Sequence, residues 1–225
     1  MKIYLCGQGY FGQEVLKLIL NREDVSLIGV SAPAKTRLGR EDRTWGLAGF
    51  HGLPRMPAGE LRASNLPGRT DLIICAHSHD FLGRATRNAA RLGAIGYHPS
   101  LLPLHRGRDA VRWAIRDRDR ITGGTVFWLN DTVDGGPIAA QAFCHVRPDD
   151  DARSLWRREL QPMGLALLEK ALDDIGRGIL VREPQDHALA TWEPALDPPP
   201  LFRPELPMIG GGWEGYTVRP GLRRY

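Results

Sequence analysis

The sequence predicts an α/β protein: an open, mainly parallel, Rossmann-like sheet followed by a short irregular C-terminal tail. Two observations carry this prediction. The chain opens with a strand–helix–strand pattern, and short apolar runs then continue to alternate with segments of helical spacing. Apolar runs of this length are typical of parallel strands buried on both faces. Their alternation with helices is the pattern of a doubly wound sheet.

The opening unit contains the clearest elements. Residues 3–6 form a short apolar run that ends at Gly7, which predicts a buried parallel strand. Residues 13–20 have helical spacing, and residues 25–30 predict a second strand. This unit therefore begins a doubly wound sheet.

The remaining elements follow in order, although the segment 31–70 is irregular and rich in Pro, Gly, Arg and Ser. The predicted helices are 45–50, 82–92, 109–117 and 151–175, and the predicted strands are 72–76, 94–97, 124–129 and 138–143. Asp149, Asp150 and Asp151 lie where they would complement the dipole of the long helix. We predict a catalytic domain over 1–189 and a Pro/Gly-rich extension without its own core over 190–225.

Composition excludes several classes of protein. No run approaches the roughly 18 apolar residues that a membrane helix needs, and the first residues reach glycine too early for a secretory signal. We therefore expect a cytoplasmic protein. The three cysteines, Cys6, Cys75 and Cys144, form no C-x-x-C pair and are expected to be buried thiols. A net charge of +4 is mild. It is compatible with binding either nucleic acid or small anions, so it does not identify a partner.

A glycine motif at the first turn suggests a dinucleotide site. Residues 7–12 satisfy G-x-G-x-x-G between a strand and a helix. The second strand, however, ends at residues 30–33 without the acidic residue that would bind the ribose. We therefore interpret these glycines as allowing a tight turn and close packing of strand and helix.

His98 and Asp134 are the residues most suited to catalysis. His98 ends a predicted strand, and ligands bind at that edge of an open α/β sheet. Asp134 lies in a turn-rich loop that can bring a carboxylate beside it. A carboxylate orients an imidazole and favours its charged form, which suits acid–base work. Taken alone, a structural histidine and a turn-forming aspartate explain the pattern equally well.

A resemblance strengthens the catalytic interpretation. Residues 97–103 (YHPSLLP), 105–107 (HRG) and Gly123-Gly124 are followed by Phe127-Trp128 and the Asp134-Gly135 loop. Together they resemble the formyltransferase family that uses 10-formyltetrahydrofolate. The chain is most similar to the branch represented by the N-terminal hydrolase domain of 10-formyltetrahydrofolate dehydrogenase. It is also similar to the methionyl-tRNA, glycinamide ribonucleotide and sugar formyltransferases. The resemblance covers roughly residues 1–195.

The resemblance implies a site as well as a fold. It implies a formyltransferase-type sheet, 10-formyltetrahydrofolate as formyl donor, and His98 and Asp134 as the catalytic pair. It also implies a pterin pocket between two loops. Its residues would be Cys75, Ala76, His77, Ser78, Phe81 and Leu82 from the first loop, and Asn130, Asp131, Val133 and Gly135 from the second. No metal is expected: a zinc site at His77 and His79 is the weaker interpretation, since side chains two apart on a strand point to opposite faces.

One departure from the family bears on the reaction. Most transferases of the family carry Asn two residues before the catalytic His, where its amide can stabilise an oxyanion, and this chain has Gly96 there. We predict formyl transfer to an amine of a small acceptor. Release of formate by hydrolysis is the first alternative, which Gly96 favours. A non-catalytic folate-binding sensor is the second.

The partners follow from the same comparison. The tRNA-formylating members carry a separate C-terminal domain, so a reduced folate and a small-molecule acceptor are favoured over tRNA, and no membrane is expected. The tail is expected to cover the acceptor side, to join a homodimer interface, or to be simply a packed or frayed terminus.

Overall fold

The computed structural model describes residues 1–78 and 80–196. Seven strands form one sheet in the order β3-β2-β1-β4-β5-β6-β7. The strands are β1 Lys2–Gly7, β2 Ser26–Ala32, β3 Arg55–Pro57, β4 Leu72–Ala76, β5 Ala94–His98, β6 Ile121–Trp128 and β7 Ile138–His145. The helices are α1 Gly9–Leu20, α2 Arg43–Phe50, α3 Arg84–Ala89, α4 Ala110–Arg116, α5 Ala152–Leu155 and α6 Gln161–Gly176.

The sheet is mainly parallel, as the sequence predicted. The four pairings from β3 to β5 are parallel, and the pairings of β6 with β5 and of β6 with β7 are antiparallel. The central strands β1 and β4 are almost completely buried. This explains their continuous apolar sequences, because a strand covered on both faces has no solvent-facing positions. The predicted α/β class is therefore confirmed.

The glycines of the first turn serve close packing. Helix α1 begins at Gly9, inside the motif, and Gly9 takes a left-handed φ of 65°. A side chain at Gly12 would lie 2.5 Å from Thr44 Oγ1 and 3.0 Å from the Gly7 carbonyl carbon. The N–H of Gly9 donates to the buried carboxylate of Asp42 over 2.8 Å. Since the turn is occupied by these contacts, the packing interpretation of the motif explains its glycines.

The long C-terminal helix predicted over 151–175 is interrupted. Asp151 and Ser154 form a capping box at its start, and a π turn, Trp156–Leu160, separates α5 from α6. The Leu160 carbonyl accepts a 2.6 Å hydrogen bond from the buried Tyr97 hydroxyl. A side chain at Gly164 would lie 2.6 Å from the Tyr97 ring. The helix is therefore shaped to fit the end of β5, next to His98.

Other differences from the prediction are local. Strand β3 was not predicted, because it has only three residues and lies in the irregular segment. A short 3-10 helix, His187–Leu189, lies after the last predicted helix, where no element was predicted. The three cysteines are free, with Cys6 and Cys144 buried and Cys75 partly buried. In the part of the chain that the structure describes, no helix is both long enough and apolar enough to cross a membrane.

Only the first residues of the predicted C-terminal extension are described. The backbone N–H of Thr191 donates to Pro103, and the N–H of Arg106 donates to Thr191. The indole of Trp113 donates to the Pro194 carbonyl over 2.8 Å. Residues 190–196 therefore lie against the loop that follows β5, whereas residues 197–225 fall outside the described chain.

Candidate active site

His98 ends β5, with one ring nitrogen held by a backbone carbonyl and the other facing a carboxylate. Nε2 lies 2.7 Å from the His105 carbonyl oxygen, and Nδ1 lies 3.5 Å from Asp134 Oδ2. A carbonyl oxygen can only accept, so Nε2 carries a hydrogen. The neutral ring therefore leaves its lone pair at Nδ1, the atom that faces the carboxylate. This arrangement can take a proton at Nδ1 and stabilise it there by charge.

Asp134 is fixed by its backbone and by a neighbour. It lies in the β6–β7 connection with a left-handed φ of 48°, a conformation that Asp tolerates better than most residues. Its Oδ2 accepts a 2.7 Å hydrogen bond from the N–H of Gly107. The 3.5 Å separation from His98 Nδ1 is an ionic contact and is longer than a strong hydrogen bond. The structure thus brings the two predicted catalytic residues together.

Gln185 and Arg106 support the aspartate loop, and the sequence did not assign Gln185 a role. The buried amide of Gln185 donates to the carbonyls of Asp134 and Gly136 over 2.9 and 2.6 Å. Its oxygen accepts from the buried guanidinium of Arg106 over 2.6 Å. Asn130 closes the loop from inside, since its amide oxygen accepts from Thr132 and its nitrogen donates to Gly135. The loop carrying Asp134 is therefore held from both sides.

Thr125 on β6 holds the loop that follows His98. Its buried hydroxyl donates to the Ser100 carbonyl over 2.7 Å and accepts from the Leu102 N–H. Gln141 donates to both Leu102 and Thr125. These bonds satisfy the polar groups of a buried loop, as burial requires. The backbone after His98 therefore has a fixed course.

His105 is a buried residue of the loop that follows β5. It is 6% exposed, with Nε2 2.8 Å from Asp119 Oδ2 and Nδ1 3.2 Å from Glu193 Oε2. Burial alone would lower the pKa of His105, but the two carboxylates outweigh it and raise the pKa to about 9. Because the His105 carbonyl holds His98 Nε2, this charged cluster lies directly behind the catalytic ring.

The first predicted folate loop follows β4. Phe81 is 76% exposed, whereas the Leu82 side chain is buried in the core, so Leu82 can offer a ligand only its backbone. His77 has a left-handed φ of 56°, and its ring lies 6.2 Å from that of Trp156. Ser78 Oγ accepts from the N–H of Asp80. Cys75 and Ala76 end β4 itself, and His79 lies outside the described residues.

Arg87 joins the two predicted folate loops. The sequence had not indicated a role for this residue. It is 6% exposed and donates both to the Leu82 carbonyl and to the Asp131 carboxylate. Asp131 and Asn130 border a cavity of about 470 Å³, while Val133 is exposed on the same loop. Arg87 lies among several arginines, so its sequence carried no signal that distinguished it from a surface residue.

A second cavity borders the catalytic loop. It has a volume of about 580 Å³ and apolar walls: Leu101, Pro103, Leu104, Ala188, Leu189 and Ala190. Half of this wall belongs to the loop that follows His98. The other half belongs to residues 188–190, next to the boundary predicted between domain and extension.

Gly96 has a neighbour that explains its lack of a side chain. A Cβ at Gly96 would lie 3.0 Å from Leu129 Cδ1, 3.5 Å from Cys75 Cβ and 3.6 Å from the Phe127 ring. Leu129 thus packs closely against the position where the resemblance led us to expect Asn. The contact with Leu129 therefore gives a structural reason for the absence of a side chain at Gly96.

Replacing Gly96 by Asn should destabilise the protein, because Leu129 must move and a polar group enters an apolar contact. We expect a loss of about 1–3 kcal/mol in the free energy of unfolding, measured by urea denaturation. The double variant Gly96→Asn/Leu129→Ala should recover part of the cost of Gly96→Asn relative to Leu129→Ala alone. Equal costs of Gly96→Asn in both backgrounds would show that Leu129 does not limit this site.

Comparisons with known proteins agree with this geometry. The formyl transferase family model matches residues 58–171. Cytosolic 10-formyltetrahydrofolate dehydrogenase of Mus musculus is 35% identical over 204 residues, which are 86% of this chain and 22% of that protein. Methionyl-tRNA formyltransferase of Lactobacillus delbrueckii is 34% identical over 126 residues, which are 56% of this chain and 40% of that protein.

Solved structures share the fold at low identity. Phosphoribosylglycinamide formyltransferase from Bacillus halodurans superposes with a TM-score of 0.64 at 20% identity, covering 78% of this chain and 95% of that one. The N-formyltransferase of Helicobacter canadensis, in complex with folinic acid and dTDP-3-aminofucose, gives 0.68 at 16% identity, covering 85% and 70%. The fold is therefore that of the formyltransferases.

These findings define the class: an α/β protein with a His–Asp pair on a formyltransferase sheet. The family model spans half of the chain, and the chain accordingly belongs to the formyl transferase family. This confirms the resemblance. The chain spans 22% of the length of the dehydrogenases that it matches.

Proposed function

We propose that this chain binds 10-formyltetrahydrofolate and uses His98 and Asp134 to move the formyl group to an amine of a small acceptor. One observation carries the proposal. Nδ1 of His98 lies 3.5 Å from the Asp134 carboxylate while Nε2 is committed to a backbone carbonyl. This leaves one defined ring atom to handle a proton.

The proposed reaction needs such an atom. The acceptor amine attacks the formyl carbon, and its nitrogen becomes positively charged in the tetrahedral intermediate. His98 takes a proton from that nitrogen, and Asp134 stabilises the resulting imidazolium. The proton then passes to N10 of the folate as the carbon–N10 bond breaks. Tetrahydrofolate and the formylated amine are the products.

We assign the donor to the two loops that Arg87 joins. Dehydrogenases named for 10-formyltetrahydrofolate match 86% of the chain, which supports this donor. The exposed Phe81 and Val133 side chains offer apolar contact, and the backbone of both loops offers hydrogen bonds. We assign the residues of these loops that the resemblance implied as the folate site.

The apolar cavity beside the catalytic loop supports a small-molecule acceptor. It borders the residues that follow His98, and its volume of about 580 Å³ is within the range of small-ligand pockets.

Hydrolysis is the second candidate, and Gly96 is the observation that favours it. Because Gly96 has no amide, the oxyanion lacks one hydrogen-bond donor, a loss worth roughly 3–4 kcal/mol in comparable sites. Water would then replace the amine as nucleophile, and formate would be released. The His98–Asp134 pair would activate the water in the same way.

One experiment separates these functions. The protein is incubated with 10-formyltetrahydrofolate, with and without a panel of amino sugars and amino acids, and both tetrahydrofolate and formate are measured. Amine-dependent tetrahydrofolate without formate supports transfer, whereas one formate per tetrahydrofolate without amine supports hydrolysis. Binding without any turnover would overturn both and support a folate sensor. Asp134→Asn should lower turnover roughly 10²–10³-fold, and Asp149→Asn, an exposed carboxylate, is the matched control.

Replacing Arg87 by Met should weaken folate binding about ten-fold while kcat changes little. The change removes the donors that join Leu82 to Asp131, and ten-fold corresponds to about 1.4 kcal/mol of binding free energy. Fluorescence titration with a folate analogue measures it. Arg84→Met is the control, because Arg84 also pairs with Asp131 but is 75% exposed and lies at the surface. Equal effects of the two substitutions would contradict a joining role for Arg87.

A further inference from the structure

A cluster of ionisable side chains lies behind the catalytic ring. His105 follows β5, Asp117 and Asp119 follow α4, and Glu193 comes from the start of the predicted extension. His105 and Glu193 are buried, at 6% and 4% exposure. One ligand atom each of His105, Asp117 and Glu193 lies within 4.8 Å of the others. Three chain segments thus converge on one buried point.

Two atoms in this cluster are buried without a hydrogen bond. They are His105 Nδ1 and Glu193 Oε2, and neither has a hydrogen-bond partner among residues 1–78 and 80–196. They lie 3.2 Å apart, but their relative orientation does not make a hydrogen bond. Buried polar atoms are normally satisfied, so a pair such as this points to a missing partner. A cation placed between them would satisfy both.

The other nitrogen of the ring is already oriented for this purpose. Nε2 lies 2.8 Å from Asp119 Oδ2, so once a metal ion displaces the Nδ1 proton, the ring donates from Nε2 and directs its Nδ1 lone pair towards Glu193. A histidine that binds a metal through one nitrogen and a carboxylate through the other is the usual arrangement at zinc sites. Asp119 therefore takes the role of the supporting carboxylate.

We propose that His105 Nδ1, Glu193 and Asp117 bind a divalent ion of the zinc class. Zinc binds imidazole nitrogen and carboxylate oxygen at about 2.0–2.2 Å, which places neighbouring ligand atoms about 3–3.5 Å apart. The 3.2 Å between Nδ1 and Oε2 fits this separation. A mixed nitrogen and oxygen site favours Zn²⁺ over Mg²⁺ or Ca²⁺.

The site would be structural and would lie outside the reacting atoms. It would tie Glu193, and with it Thr191, whose hydroxyl accepts from the His105 N–H, to the loop whose His105 carbonyl holds His98 Nε2. The sequence predicted no metal, and its weaker alternative was a zinc site at His77 and His79. The site proposed here uses different residues. The inference does not depend on formyl transfer, because zinc binding is measured without any folate.

The test is a zinc titration of the untagged full chain after dialysis against a chelator. Isothermal calorimetry with ZnCl₂ should give about one equivalent, with a rise in melting temperature. Glu193→Gln and Asp117→Asn should each weaken zinc binding at least ten-fold. Glu169→Gln, an exposed glutamate on α6, and His98→Asn should leave it unchanged. Near-ultraviolet circular dichroism checks that each variant is folded.

The outcomes are distinct. Loss of affinity in both carboxylate variants, with retention in both controls, supports the site. No saturable zinc in the wild-type protein overturns it. Equal affinity in Glu193→Gln and the wild type, or loss in His98→Asn, would place the ion elsewhere and also overturns it. If Glu193→Gln does not fold, Asp117→Asn and the absorption of bound Co²⁺ in the wild type decide the question.

Discussion

Replacing His98 by Asn is expected to lower kcat roughly 10²–10⁴-fold, the range that a general acid–base residue contributes. The amide of Asn can still donate to the His105 carbonyl, which His98 contacts at 2.7 Å, so the loop should keep its course. It cannot take up a proton at the position that faces Asp134. The loss should therefore fall on the chemical step while folate affinity stays within a few-fold of the wild type.

Single-turnover assays with saturating 10-formyltetrahydrofolate measure this step directly, and a titration with a folate analogue measures affinity. His145→Asn, at the exposed end of β7, is the matched control and should retain wild-type turnover. A folded His98→Asn variant with undiminished single-turnover rate would remove His98 from the mechanism. A large loss of affinity with normal chemistry would assign His98 to binding.

The sequence predicted most of the sheet, because strands buried on both faces have continuous apolar sequences. Strands β1 and β4 are covered on both faces and appear as unbroken apolar runs, so period and length identify them. Strand β3 left no such trace, since three residues at the edge of the sheet bury little. The π turn at Trp156–Leu160 could not be predicted either. It accommodates the Tyr97 side chain, whose hydroxyl comes from a distant strand and donates to the Leu160 carbonyl.

The sequence predicted the site residues that are chemically reactive, but it did not predict the residues that support them. His98 and Asp134 combine reactive groups with a strand end and a turn, and the structure brings them together. Gln185, Arg87 and Glu193 act through contacts made only after folding, over separations of 44 to 88 residues in the chain. Local sequence carries no record of such contacts, and common surface residue types conceal them.

Residues 185–196 show the same limit in the backbone. The Pro/Gly-rich composition of residues 190–225 predicted an extension after residue 189, yet Thr191 exchanges backbone hydrogen bonds with Pro103 and Arg106. Gln185 and Glu193 flank this contact and hold Asp134 and His105 respectively. Since this segment contacts the groups that hold the predicted catalytic residues His98 and Asp134, we expect the described start of the extension to belong to the site.

Replacing Asp134 by Asn should separate the charge of this residue from its structural contact. An Asn oxygen can still accept from the Gly107 N–H, which now donates over 2.7 Å, so the loop and the protein's stability should be nearly unchanged. The amide cannot stabilise an imidazolium, and turnover should fall roughly 10²–10³-fold, within the range of acid–base contributions.

Asp134→Ala removes the contact as well as the charge. The Gly107 N–H then loses its acceptor, and a lost bond of a charged group in a partly buried position costs about 1–3 kcal/mol. Ala also tolerates the left-handed φ of 48° less well than Asn. Asp134→Ala should therefore lower both turnover and the urea midpoint, whereas Asp134→Asn lowers turnover alone. Equal destabilisation by both substitutions would show that the carboxylate charge serves the fold, and normal turnover in Asp134→Asn would exclude it from proton transfer.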